Sequence, residues 1–292
     1  MVRSANPMGI PRMRSAFKQK SISTGLVILV LTSSACTRAR EAAAAEAGPQ
    51  TFSCEEYARV LKTYVNEAGY VDYANLVKSR RDLDRFAARL AVLDPDSFRT
   101  WGESQQIAFW INAYNGLTLK AVVDHYPAKS IKDIGSLVTS VWDKLTFSVM
   151  GRALTLNQIE HEILRKEFTE PRIHMAINCA SIGCPPLLNE PFNADTLEEQ
   201  FARVTRAFLD APEKFRIDRT GKQVHLSPIL KWFGEDFVAE YASIHRRKKF
   251  SAKENAALNF VMAAVPEADR TYLRDGAFKL KWLDYDWNLN QQ

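Results

Sequence analysis

Cysteine and histidine are the residues of this 292-residue chain best suited to chemistry, and its four cysteines and five histidines are unevenly placed. Only Cys179 and Cys184 lie close together, in Asn178-Cys-Ala-Ser-Ile-Gly-Cys-Pro-Pro186. A pair with this spacer closes into a disulfide if the backbone turns enough to bring the α-carbons to about 5.5 Å, and an oxidising compartment favours that bond. The competing reading is a thiol nucleophile. The loop follows an apolar run, contains Ser181 and Gly183, and is stiffened by two prolines. It would hold a thiol and backbone amides at a fixed spot, as acyl transfer requires. Cys179 is the favoured sulfur, because Pro185 restricts the backbone behind Cys184.

A thiol nucleophile needs a base, and His125, His161 and His174 are the candidates. If residues 173–177 form a regular strand that continues to the cysteine, His174 and Cys179 fall on opposite faces, and they meet only across a bulge or if the strand ends before Cys179. His161 lies off the apolar stripe of Leu156, Ile159 and Ile163, so it can lean into a cleft with Glu160 to orient it. For each histidine the plainer reading is a satisfied structural group. Zinc held by His161, His174, Cys179 and Cys184 is a third reading; the spacing matches no close-paired zinc signature, so no metal ligand and no cofactor are assigned. His225 and His245 look peripheral, and Arg246-Arg-Lys-Lys249 reads as a solvated corner. Asn112 and Asn115, in Phe109-Trp-Ile-Asn-Ala-Tyr-Asn115, sit one helical turn apart despite being poor helix formers. Buried amides need partners, so this pair either pins a neighbouring loop or lines a pocket as orienter or oxyanion donor.

These residues must be positioned by a mixed set of elements. Ser53-Cys-Glu-Glu56 has the form of a capping box ahead of Tyr57, Val60, Leu61 and Tyr64 at helical spacing. A second helix is predicted over 80–93, and a long one with a buried face over 104–125, ended by Pro127. Phe147, Val149 and Leu154 alternate around Gly151-Arg152 as in a β-hairpin, and Thr155 with Gln158 caps a helix through His161 to about Lys166. Ile173, Met175 and Ile177 alternate as in a strand ending at the cysteines. Asp195–Leu209 is amphipathic, Ser251-Ala-Lys-Glu254 caps a further helix, and Phe278, Leu280 and Trp282 alternate as a late strand. The expectation is an α+β fold, a mostly helical single domain packed on a small antiparallel sheet, with a papain-like layout among the arrangements this order allows.

At the N-terminus, Arg3, Arg12, Arg14, Lys18 and Lys20 precede the apolar Gly25-Leu-Val-Ile-Leu-Val-Leu31 and the small residues Thr32-Ser-Ser-Ala35. That order is the order of a secretory signal, and the apolar core is shorter than the ~20 residues a membrane span needs. Cys36 then stands where a lipoprotein carries its acylated cysteine. Ser33 occupies a position usually held by leucine, so cleavage between Ala42 and Ala47 competes with lipidation. Without those five early basic residues the 34 remaining lysines and arginines balance 34 acids. A neutral mature chain offers no electrostatic basis for binding nucleic acid. The reading is therefore a signal peptide over 1–35, an alanine-rich tether over 36–52 and one globular domain over 53–290. The protein would be exported, periplasmic or anchored in the membrane through a lipid at Cys36, with an unknown envelope substrate or small molecule as partner.

The motifs also carry a family likeness. Tyr70-Val-Asp-Tyr73, Phe109-Trp-Ile-Asn-Ala-Tyr-Asn115, Ser130-Ile-Lys-Asp-Ile134, Ile159-Glu-His161, Arg172-Ile-His174, Cys179-Ala-Ser-Ile-Gly-Cys-Pro-Pro-Leu187 and Tyr285-Asp-Trp-Asn-Leu-Asn290 occur in this order. Together they resemble the bacterial branch of domain-of-unknown-function family 547, from about Cys54 to Asn290. The resemblance implies that Asn112, Asn115, His161, His174, Cys179 and Cys184 occupy the family's motif positions and that exported or lipoprotein forms are typical. It supplies no reaction. The chemistry expected from the residues themselves is a cysteine-dependent hydrolase or acyl-transfer site, against a non-catalytic binding or structural domain closed by a Cys179–Cys184 disulfide.

Overall fold

The longest apolar segment becomes the axis around which the rest is built. In the computed structural model, which describes residues 52–135 and 140–292, the chain opens with α1 (Glu55–Tyr64), α2 (Tyr73–Lys78), α3 (Arg81–Val92), α4 (Pro95–Arg99) and the axial α5 (Glu103–His125). Sixteen residues of α5 between Ile107 and Val123 are buried, so it is enclosed on nearly every side rather than along one stripe. α3 packs against both α1 and α5. Gly116 makes that approach possible: a β-carbon there would collide with the Phe86 ring of α3.

A 3₁₀ turn (Ile131–Ile134) and α6 (Val141–Lys144) lead into β1 (Thr146–Val149) and β2 (Arg152–Thr155). These pair antiparallel with Val149 opposite Arg152. The turn lies one residue earlier than predicted, at Met150 (φ 52°) and Gly151 (φ 71°), the two left-handed positions that a tight right-twisted hairpin requires. Thr155 and Gln158 form the predicted capping box, each backbone N–H donating to the other's side chain at 3.0 and 3.1 Å. The helix they start runs as α7 (Leu156–Gln158), a π-helical turn (Ile159–Leu164) and α8 (Arg165–Glu167).

The second half holds α9 (Ile173–Ala176), α10 (Leu197–Asp210), β3 (Phe215–Asp218), β4 (Gln223–Leu226), α11 (Ile229–Trp232), α12 (Val238–Tyr241), α13 (Ala252–Ala264), α14 (Glu267–Asp275) and β5 (Lys279–Trp282). β3 pairs antiparallel with β4, and β4 parallel with β5, so the larger sheet is mixed. The fold is α+β with helices in the majority, around one apolar core that runs from Tyr57 to Leu289. Among the described residues no helix is long and apolar enough to cross a membrane. The predicted signal segment, Cys36 and all but the last residue of the tether lie outside the described residues.

Three local expectations are corrected. Ile173–Ala176 is a short helix, not a strand. Every residue from Ile173 to Asn178 is buried, so the apolar alternation reflects complete enclosure and not a two-faced strand. α1 is capped at Cys54, and Ser53 Oγ accepts only from the Glu55 amide at 3.4 Å, so the predicted capping box is not formed. The basic corner is not wholly solvated: Arg247 is buried and bonded on all sides.

Candidate functional site

Four segments well separated in the sequence converge on one cavity of about 220 Å³. The π-helical turn contributes Glu160 and His161, the segment after α9 contributes Ile177 and Cys179, α11 with the following residue contributes Trp232 and Phe233, and the C-terminal segment contributes Tyr285 and Trp287. His174, Tyr114, Trp142 and Cys184 complete the part of the lining that bears on the chemistry. The wider π turn is a common device at functional sites, and here two consecutive side chains reach one cavity.

Behind the lining lies a chain of charged groups. Asp236, between α11 and α12, accepts from His174 Nε2 at 2.7 Å and from Arg165 Nε and Nη2 at 2.6 and 2.9 Å. Burial alone would raise the Asp236 carboxyl, but these hydrogen bonds outweigh it and hold the group far below the usual carboxylate range. His174 is held neutral because its side chain is only 1% exposed, and desolvation outweighs the attraction of Asp236. A carboxylate can only accept, so the proton of His174 sits on Nε2 and the lone pair on Nδ1. That Nδ1 is buried and has no hydrogen-bond partner among the described residues. The ring also stacks on Phe233, with centroids 4.1 Å apart.

His161 is fixed in the complementary sense. Arg165 Nη1 donates to His161 Nδ1 at 2.9 Å, so the neutral ring carries its proton on Nε2. Desolvation, then the nearby Arg165 charge, lowers the His161 pKa and keeps it neutral. Glu160 accepts from the Tyr114 hydroxyl through Oε2 at 3.0 Å, and burial raises its carboxyl to about 7. Its Oε1, 3.9 Å from His161 Nδ1, makes no hydrogen bond among the described residues.

The cysteines meet as the spacing allows. Cys179 and Cys184 are joined by a disulfide, with α-carbons 6.3 Å apart. Ala180 takes up the left-handed conformation (φ 60°) that folds the loop back, and Gly183 lets the Tyr285 ring approach, since a β-carbon there would stand 2.8 Å from it. Tyr285 donates to Cys184 Sγ at 3.1 Å, and its hydroxyl and that of Ser181 lie 3.3 and 3.2 Å from Cys179 Sγ. Cys184 is buried and Cys179 is partly open to the cavity.

Six of the seven loop amides from Asn178 to Cys184 are not available as oxyanion donors. Those of Asn178, Cys179, Ala180, Ile182, Gly183 and Cys184 all donate inside the protein. The asparagines are spent on that loop and its neighbour. Asn115 donates to Ala176 O at 3.0 Å and accepts from the Asn178 amide at 2.8 Å, while Asn112 clasps both backbone groups of Phe192 at 2.8 Å. Neither asparagine lines the cavity. His125 binds the Ala121 carbonyl of its own helix, away from the site. With both thiols in the disulfide, the zinc reading loses two of its four donors, and among the described residues no group of three or more His, Cys, Asp and Glu could hold a metal ion.

The sequence alone does not single out Asp236 or the aromatic residues Trp232, Phe233, Tyr285 and Trp287 as site residues. The one signal in the sequence is the density of rings and acids in Lys231-Trp-Phe-Gly-Glu-Asp-Phe237 and Tyr285-Asp-Trp287, more than a short surface segment needs. No curated protein and no solved structure shows significant similarity to the chain. Residues 98–209 match the model of a family described as protein of unknown function, DUF547. That span, over which the chain is similar to DUF547, holds α5 with its asparagines, the π-helical turn and the cysteine loop.

Proposed function

We propose that the protein is a cysteine-dependent hydrolase or acyl-transfer enzyme of the bacterial envelope, exported through residues 1–35 and tethered by a lipid on Cys36, acting on an amide, ester or thioester. One observation carries the reading: Cys179 shares its cavity with a neutral histidine whose Nε2 is held by Asp236 and whose Nδ1 is free. This is the division of labour of a nucleophile, a base and an orienting carboxylate.

The reaction begins from the reduced pair, which a dithiol produces by taking up the disulfide and releasing two thiols. His174 Nδ1 accepts the Cys179 proton, and the thiolate attacks the carbonyl carbon. The leaving amine, alcohol or thiol departs with the proton from His174. Water, deprotonated by the same nitrogen, then releases the acid and restores the thiol. The oxyanion is served by a side-chain donor at the cavity, His161 Nε2–H, because the amides of Asn178, Cys179, Ala180, Ile182, Gly183 and Cys184 are occupied.

The disulfide favours a second reading, a non-catalytic binding domain in which Cys179–Cys184 only closes the loop. Alkylation after mild dithiothreitol treatment separates the two. The enzyme reading expects Cys179 to react with an apparent pKa below the ordinary thiol value of about 8.5, and Asp236→Asn to slow that reaction at neutral pH by about tenfold or more. A bond that resists the reductant, or an ordinary thiol unaffected by Asp236→Asn, leaves the non-catalytic reading.

A further inference from the structure

The mouth of the cavity is unusually aromatic, and its charges do not cancel when Glu160 is ionised. Asp236 is matched by Arg165, and His161 and His174 are neutral, so the Glu160 carboxylate is the uncompensated charge of the cluster. Its Oε1 has no hydrogen-bond partner among the described residues. Trp232, Trp142, Tyr285 and Trp287 form a continuous set of rings around the opening: Trp232 lies 5.0 Å from Tyr285 and 6.0 Å from Trp287, and Trp142 lies 5.9 Å from Trp287. Trp232 is 49% exposed, although a ring of that size normally buries itself.

The same rings already carry an ammonium group from this chain. Lys132 Nζ sits 3.4 Å from the centre of the Trp287 ring. Phe233 is taken by His174 and by the Arg165 guanidinium 5.0 Å above it. Trp142, Trp232 and Tyr285 make no such contact with a cation of the chain among the described residues. Ring faces attract cations through their quadrupole, most strongly where water is excluded, and a carboxylate behind them completes a site for an organic cation.

We propose that the cavity holds the ammonium or methylated ammonium end of a ligand between Trp142, Trp232 and Tyr285, with Glu160 as its counter-charge. The position, though not the binding, rests on the reading of this cavity as the substrate site. The groups facing Glu160 are Tyr114 from α5, His161 from its own turn, Arg165 from α8, Asp236 beyond α11 and Tyr285 from the C-terminal segment. A bound cation stabilises the ionised carboxyl, so binding strengthens as pH rises through about 7.

Choline and its neutral isostere 3,3-dimethyl-1-butanol are suitable probes, titrated into the full protein with the disulfide intact and followed by tryptophan fluorescence. Choline should bind at least about tenfold more tightly than the alcohol above neutral pH. Glu160→Gln should remove most of that preference, and Trp232→Leu, at a half-exposed position that folding does not require, should weaken choline without abolishing structure. Equal affinity for the two probes, or no saturable response to choline, overturns the proposal. Because binding is read on the oxidised protein and thiol reactivity on the reduced one, an inert Cys179 and a missing cation subsite are distinguishable results.

Discussion

Two arginines of this protein are drawn out of solvent in opposite ways, and the contrast separates scaffold from site. Arg247 is 6% exposed and has no carboxylate partner among the described residues. Its guanidinium is absorbed by neutral acceptors instead: Leu273 O at 2.8 Å, Asn259 Oδ1 at 3.1 Å, His245 O at 3.3 Å and the Met262 sulfur at 2.6 Å. Asn255 and Asn259 spend their amide donors on the surrounding backbone, so the shell is closed on itself. Desolvation lowers Arg247 to about 10, which leaves it charged at neutral pH. Arg165 is bound to a full carboxylate, yet its neighbours, whose side chains line a cavity, keep unused capacity among the described residues: His174 Nδ1, His161 Nε2 and Glu160 Oε1. A polar cluster that is satisfied and has no room holds the fold, whereas one with spare valence and room can receive a ligand.

The largest effect expected from this contrast is on stability at Arg247. Arg247→Leu removes the donors from Leu273 O, His245 O and Asn259 Oδ1 together, and each buried acceptor left without a partner costs about 1–3 kcal/mol. A loss of roughly 3 kcal/mol or more should appear in urea denaturation, with the alkylation rate of reduced Cys179 unchanged in the folded protein. If thiol reactivity changes along with stability, the two clusters are coupled and the division fails.

A smaller effect, confined to a pH window, is expected at Glu160. Its carboxyl titrates near 7 when folded, against 4.5 for the unfolded chain. The native state therefore binds more protons than the unfolded one between those values. The stability this contributes is fully present below about 4.5 and is lost as pH rises through about 7, with a span of roughly 3 kcal/mol. Glu160→Gln should remove this decline, so the melting temperatures of the two proteins should diverge between pH 4.5 and 7. Parallel curves would mean that Glu160 is not held protonated by its surroundings.

The same contrast explains what the sequence could disclose. Capping at Thr155 and Ser251, the β1–β2 hairpin and the long helix α5 depend on residues a few positions apart, and they are legible, although the sequence predicts one buried face for α5 and not its near-complete enclosure. The Ile173–Ala176 helix was hidden because burial on all sides erases the period that distinguishes helix from strand. That error also set His174 and Cys179 on opposite faces, whereas both line one cavity. Asp236 stands 62 positions from His174 in an ordinary-looking segment, so only folding joins them. Basic neighbours in the sequence make Arg247 look solvated, while its actual partners lie on α13 and at the end of α14.

The smallest expected effect concerns Cys54, which places the same distinction on a single atom type. This thiol borders a different cavity, next to Asn112, whose amide nitrogen is 3.8 Å from the sulfur. Burial pushes it up to about 12, against an opposing pull from Arg89. At pH 8 its thiolate is then populated only to about one part in ten thousand, and the thiolate is the species that alkylates. Cys54→Ala should cost about 1 kcal/mol or less, because the sulfur accepts one weak hydrogen bond at the edge of the core and Asn112 keeps both bonds to Phe192. Peptide mass spectrometry of folded, reduced protein briefly treated with iodoacetamide should show Cys179 labelled and Cys54 unlabelled. Equal labelling of the two would show that the cavity confers no special reactivity on Cys179, and the contrast between a satisfied interior and an open site would no longer extend to its sulfur.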